Sequence, residues 1–213
     1  MDKGMIITLP RNDYVTEYIS QYSIEIINQA RIKGVPVKEL KDKNANREEF
    51  ESVLRKLNYS LIVFNGHGSE VSIEGQNGVL ADKANSSLLK ERITYARSCS
   101  AGSILGRICM KDSKKGCFIG YTLPFMFYVD SNWISTPRKD SVAPLFLEPS
   151  NLVAISLLKG NSALHAHENS KKQMLKNINK VLRRGGNESF LFAQALWNNY
   201  LGQVLIGNPS AVM

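Results

Sequence analysis

Apolar and polar residues recur along the chain with two periods, and their order predicts the architecture. Met5–Leu9 (MIITL) is apolar, is closed by Pro10, and reads as a buried strand. Asp13 is placed to cap a helix whose apolar face, Val15, Tyr18, Ile19, Tyr22 and Ile26, recurs at helical spacing until Gly34 stops it. A second strand is expected at Val35–Leu40. Asn46 caps a helix running through Leu57, with Phe50, Val53 and Leu54 on its apolar face. Ser60–Phe64 (SLIVF) is nearly all apolar, as expected of a strand covered on both faces. Strand, helix, strand, helix, strand in this order is the pattern of a parallel sheet with crossover helices.

Residues 71–92 are less regular, and Gly75, Asn77 and Gly78 predict a hairpin before a short helix. The strand pattern resumes at Ile93–Ser98, a helix is expected at Ala101–Lys111, and a fifth strand at Cys117–Thr122. A loop rich in Pro, Trp and charge runs from Leu123 to about Ser141. Helices are expected at Ala143–Leu158, Ser162–Arg184 and Glu188–Tyr200, with a last strand at Gln203–Ile206. The whole reads as a single α/β domain, residues 1–213, with about six strands.

Composition agrees with a packed core: 43% of the 213 residues are hydrophobic and 22% charged. No apolar run reaches the length of a membrane span, and the N-terminal apolar stretch is too short for a signal peptide, so a cytoplasmic protein with no membrane partner is expected. Three cysteines without metal spacing suit a reducing compartment. The formal net charge is +8, concentrated between Lys159 and Arg184, where seven basic residues face one acid, Glu168. That stretch reads either as a solvated face or as a docking face for an acidic partner. No zinc finger, RNA-binding signature or aromatic-basic interleaving accompanies it, so direct nucleic-acid binding is not expected.

The candidate chemistry lies at two strand ends, since ligands of open parallel sheets bind beyond the carboxyl ends of the strands. The third strand runs into Asn65-Gly66-His67-Gly68, and the next into Ser98-Cys99-Ser100-Ala101-Gly102. If these strands are neighbours, His67 and Cys99 face one crevice. A thiol is mostly protonated at neutral pH and needs a base to become a nucleophile, a part that His67 fits. A helix beginning near Ser100–Ala101 would add its dipole in favour of the thiolate. The N–H groups of Gly68 and Cys99 are candidate oxyanion donors.

The strand running into NGHG, followed by a strand running into ARSCSAG, resembles the His-Gly and Cys motifs of caspase-like (clan CD) cysteine peptidases. The likeness is greatest to the bacterial CHAT and gingipain/clostripain-like branch. FIGYT at Phe118–Thr122, PRKDSVAPLF entering a helix, LLKGNSALHAHENS and the closing LIGNPSAVM add to it, with Asn208 where relatives often have Asp. The resemblance spans nearly the whole chain. It implies a three-layer α/β sandwich, a mostly parallel six-stranded sheet flanked by helices, and a His67–Cys99 dyad that cleaves protein substrates. It also links the chain to bacterial defence or cell death, and control is expected from a regulatory protein partner, from self-cleavage or from a physically coupled sensor.

In that family the residue two before the nucleophile and the loop after the first strand help line the primary specificity pocket. Here these are Arg97 and Arg11, which together would favour an acidic substrate residue. Asp13 would either neutralise Arg11 or select a basic side chain, and Arg97 would alternatively pair with an internal acid and never meet substrate. Trp133, in the long loop, either lines the substrate groove or caps the sheet. His165 and His167 lie about 200° apart on a helix and do not chelate one metal together. No Walker loop, dinucleotide fingerprint or EF-hand is present, so neither cofactor nor metal is expected. The rival reading is a catalytically silent scaffold of the same fold that docks a partner through the basic helix 162–184.

Overall fold

The computed structural model describes residues 1–213. The chain begins with β1 (Asp2–Leu9), α1 (Tyr14–Tyr22), α2 (Ile24–Ile32), β2 (Val37–Lys41), α3 (Arg47–Lys56) and β3 (Tyr59–Asn65). A hairpin of β4 (Ser72–Gly75) and β5 (Gly78–Asp82) follows, then β6 (Ile93–Arg97), α4 (Leu105–Met110) and β7 (Cys117–Tyr121). Three helices, α5 (Pro144–Leu158), α6 (Ala163–Arg184) and α7 (Ser189–Gly202), precede the last strand, β8 (Gln203–Gly207).

Six strands make one sheet in the order β2-β1-β3-β6-β7-β8, and the hairpin stands apart from it. All neighbours run parallel except β7 and β8. The period-2 alternation of the central strands divides the core in two. Met5, Ile7, Leu61, Val63, Tyr95 and Ile119 point to the side covered by α1, α2, α5 and α6. Ile6, Ile62, Phe64, Ala96 and Phe118 point to the side covered by α3, α4 and the hairpin. α7 packs on α5 and α6 through Phe146, Val181 and Leu196. This is the three-layer caspase-like α/β fold expected from the sequence. No helix is long and apolar enough to cross a membrane.

Two local expectations are corrected. The single helix expected from Asp13 to Gly34 is two, divided at Ser23, which ends α1 and precedes α2 with its hydroxyl bonded to the Ile19 carbonyl. The helix expected from Ala101 begins only at Leu105. Residues 99–104 form a turn in which Gly102 N–H bonds the Tyr121 carbonyl at 2.8 Å and Ser103 N–H the Ser100 carbonyl at 2.9 Å. Bonding to the end of β7 takes this backbone away from the helical pattern, so no helix terminus sits beside Cys99.

Candidate active site

The sheet order makes β3 and β6 neighbours, with Asn65 opposite Arg97. His67 and Cys99 each stand two residues beyond that pair, so both leave the same rim of the sheet, and both are half-buried. The two loops touch: a Cβ on Gly68 would lie 2.9 Å from Ser98 Cβ and 3.0 Å from the Cys99 carbonyl oxygen. Only glycine fits that approach. Gly66, at φ 150°, is held so close to the hairpin that a Cβ there would lie 2.2 Å from the Glu74 carbonyl oxygen.

Each loop is braced by its neighbours. Glu74 N–H bonds the His67 carbonyl and Ser69 N–H the Ser72 carbonyl, both at 2.9 Å, tying the histidine loop to the hairpin. The Glu70 carbonyl accepts from the N–H groups of Ile104 and Leu105, satisfying the start of α4 and linking the histidine loop to the turn after Cys99. Ser100 N–H bonds the Leu123 carbonyl at 3.2 Å. The main-chain N–H groups of Gly68 and Cys99 donate to no other group of the protein.

The imidazole has an acidic partner. Asp13 caps α1: its Oδ1 accepts the Thr16 N–H at 2.8 Å and the Thr16 hydroxyl at 2.8 Å, while Thr16 Oγ1 accepts the Asp13 N–H at 3.1 Å. Its other oxygen, Oδ2, lies 2.5 Å from His67 Nε2. Burial works to raise the Asp13 pKa, but the Thr16 N–H, the His67 ring and the Thr16 hydroxyl outweigh it and hold the carboxyl below its ordinary value. A carboxylate on Nε2 favours the tautomer protonated there and leaves Nδ1 as the basic nitrogen. Asp13, expected at a specificity pocket, contacts the histidine. The sequence marked Asp13 as a helix cap but carried no signal of a contact 54 positions away.

Of the two readings of Arg97, pocket lining fails. Its side chain is fully buried and faces the interior. Its Nε and Nη2 donate to Asn65 Oδ1, its Nη1 to Ser150 Oγ and Asn151 Oδ1, and its Nη2 also to the Ile19 carbonyl and Ser23 Oγ. No acid pairs with it, so the internal salt bridge is absent as well; five neutral acceptors hold the charge, and burial pulls its pKa below the ordinary value. Arg11 is exposed, with its Nε 3.2 Å from Glu17 and 3.8 Å from Asp42. The two guanidiniums therefore do not converge, and the expected preference for acidic substrates loses its basis. Trp133 lies on a short 3-10 turn, Ser131–Trp133, with the Lys139 ammonium 5.7 Å from its ring centroid. Cys109 and Cys117 are buried, and burial pushes both thiols up to about 12. No three His, Cys, Asp or Glu side chains gather to hold a metal ion.

No protein-family model matches the sequence, and no curated protein matches it by sequence. Solved structures do match the fold. The crystal structure of the Arg-specific cysteine proteinase gingipain R superposes with a TM-score of 0.67 at 13% identity, covering 99% of this chain and 47% of that one. The complex of the Porphyromonas gingivalis RgpB pro- and mature domains gives 0.64 at 12% identity, covering 99% and 48%. The chain spans about half the length of these structures.

Proposed function

We propose that this chain is a caspase-like cysteine endopeptidase acting on protein substrates, with residues 1–213 forming one peptidase domain. The observation that carries this reading is the His67 Nε2–Asp13 Oδ2 contact of 2.5 Å, at a rim where the histidine loop packs on the cysteine loop. An acid that holds a histidine on the rim it shares with a half-buried thiol supplies the three parts from which an activated nucleophile is built.

In the proposed reaction the thiol proton passes to His67 Nδ1 as Cys99 Sγ attacks the peptide carbonyl carbon. The oxygen, now negative, is held by the Gly68 and Cys99 N–H groups, which are free of other partners. Collapse breaks the C–N bond, and His67 gives its proton to the departing amine. Water then loses a proton to His67 and attacks the thioester, and the thiolate leaves with release of the new carboxyl group.

The resemblance of the NGHG and SCSAG motifs to those of bacterial CHAT proteins supports a proposed role in defence or cell death in the cytoplasm. Control would come from a protein partner, and the basic face of α6 is the proposed docking site. Lys176, Lys180, Arg183 and Arg184 there border an open depression without hydrophobic lining.

Iodoacetamide labelling tests the reading. Cys99 is expected to react fastest of the three thiols, and Cys99→Ala to abolish cleavage of candidate substrate proteins. Equal labelling of Cys99, Cys109 and Cys117 would refute it. The scaffold alternative predicts that charge reversal on α6 abolishes function while Cys99→Ala leaves it intact.

A further inference from the structure

An apolar cleft adjoins the proposed dyad, and no step of the reaction above uses it. One wall is Tyr14 and Val15, the first turn of α1; the other is the run Phe125–Val129 beyond β7. The cavity measures about 380 Å³, and every side chain lining it is hydrophobic. Two tethers set it beside the site. Tyr14 is bonded directly to Asp13, which holds His67. The Leu123 carbonyl accepts the N–H of Ser100, the residue after Cys99, and Phe125 lies only two residues further on, about 7 Å at full extension.

The walls are fixed from behind. Phe125 packs on Tyr121 with ring centroids 4.8 Å apart, and Phe127 on Tyr18 at 6.1 Å. The Asn199 side chain takes both the N–H and the carbonyl of Met126, at 2.8 and 2.6 Å, and Asn198 takes the Pro124 carbonyl at 2.7 Å. One edge of this extended run is thereby anchored to α7. The main-chain groups of Phe125 and Phe127 bond to nothing else in the protein. An extended peptide pairing along that free edge would direct alternate side chains toward the cleft.

We propose that this cleft selects the substrate and takes an uncharged apolar side chain, of the size of Leu, Met or Phe, flanking the scissile bond. The proposal rests on the peptidase reading above. Arg97 is sealed inside and Arg11 is paired with Glu17 and Asp42, so no free cation reaches the cleft from either. The walls carry no charged side chain, so a carboxylate or guanidinium placed between them would lose its water without gaining a partner from the lining, whereas an apolar side chain gains by burial.

The test uses the full chain and four peptidyl acyloxymethyl ketones that differ only in the residue next to the warhead: Leu, Phe, Asp or Arg. Modification of Cys99 is followed by mass spectrometry. The Leu and Phe probes are expected to react on the order of tenfold faster than the Asp and Arg probes. Tyr14→Asp alters a side chain that is 53% exposed and brings a carboxylate to the wall; it is expected to lower the Leu-to-Arg ratio, and Val129→Asp on the opposite wall to do the same. The ratio reads the cleft, because a change at the dyad slows all four probes together. An Asp or Arg probe that reacts fastest, or a ratio unmoved by both variants, would overturn the proposal. Failure of the peptidase reading itself has another signature: no probe modifies Cys99, and iodoacetamide does not favour it.

Discussion

Two polar clusters sit on the same pair of strands, two residues apart, and behave oppositely. At Asn65 and Arg97, where β3 and β6 end in register, the side chains are fully buried and every nitrogen of the guanidinium is occupied. Thr8 joins this cluster from β1, trading hydrogen bonds with the Asn65 main chain and accepting the Asn65 amide on its own carbonyl. At His67 and Cys99 the side chains are half-exposed, the thiol makes no hydrogen bond, and the Gly68 and Cys99 N–H groups are unpaired. A buried polar group with all its partners made has nothing left to offer a reactant and acts on stability. A rim group with valences to spare is available for chemistry. Position along a strand, more than residue type, separates the two.

The sharpest way to break that contrast is Cys99→Ala. Cleavage is expected to fall by at least about 1,000-fold, the order seen when an activated nucleophile is removed, while the melting temperature moves by no more than about 2 °C. A large drop in stability would put Cys99 in the structural cluster after all.

Arg97→Met tests the other side. It leaves Asn65 Oδ1 and Asn151 Oδ1 without their buried donor. The expected cost is about 2–4 kcal/mol in urea denaturation, from two buried acceptors left unsatisfied at about 1–3 kcal/mol each and the partly offsetting removal of a buried charge. A variant that kept its stability but changed its choice among peptide substrates would return Arg97 to the pocket.

Much of this was legible beforehand, and the failures share a cause. Apolar strands ending in NGHG and SCSAG gave away the rim, because strand register and glycine freedom are local properties. The alternation of Met5 and Ile7 against Ile6 gave away the two faces of the sheet. The setting of Arg97 on neutral acceptors was not legible, because arginine is almost never fully buried unless paired, and its acceptors come from α1, the α1–α2 junction, β3 and α5, none of them near it in sequence. The break at Ser23 follows from the same contact, since the Ile19 carbonyl and Ser23 hydroxyl both receive the guanidinium. Asp13 was visible as a cap and invisible as a histidine partner for the reason that only the β1–β3 pairing brings it across. The late start of α4 reflects bonds to the end of β7 that no local propensity encodes.

Asp13→Asn sharpens the contrast within the rim. Asparagine keeps the cap on Thr16 and therefore most of the stability, but it removes the charge facing His67. Cleavage is expected to fall roughly 10–100-fold, with slower iodoacetamide labelling of Cys99 at neutral pH. The sign for stability follows from the depressed carboxyl pKa. The Asp13 contribution is full above its unfolded value and fades as pH falls through the lower folded one, so the variant differs least from the parent in strong acid. Unchanged labelling across pH 5–8 would show that the carboxylate does nothing for the imidazole.

The smallest effect comes from a third polar spot on α6. His167 is held down to about 4 by burial and by the Lys171 charge one turn away, and its Nδ1 has no partner in the protein. Lys171 itself lies over the Tyr200 ring at 4.3 Å, so both groups are partly shielded from water. The folded state keeps this imidazole neutral while the unfolded chain, with an ordinary histidine pKa near 6.5, takes up a proton as pH falls. Its contribution is therefore full above pH 6.5 and declines as pH drops toward 4. Between pH 7 and pH 5 the loss is on the order of 1 kcal/mol once partial exposure is allowed for. His167→Gln is expected to flatten urea midpoints over that interval and to leave Cys99 labelling rates unchanged. A variant that slowed Cys99 instead would mean that a partly buried group on α6 does act on the chemistry, and the division between the two clusters would fail there first.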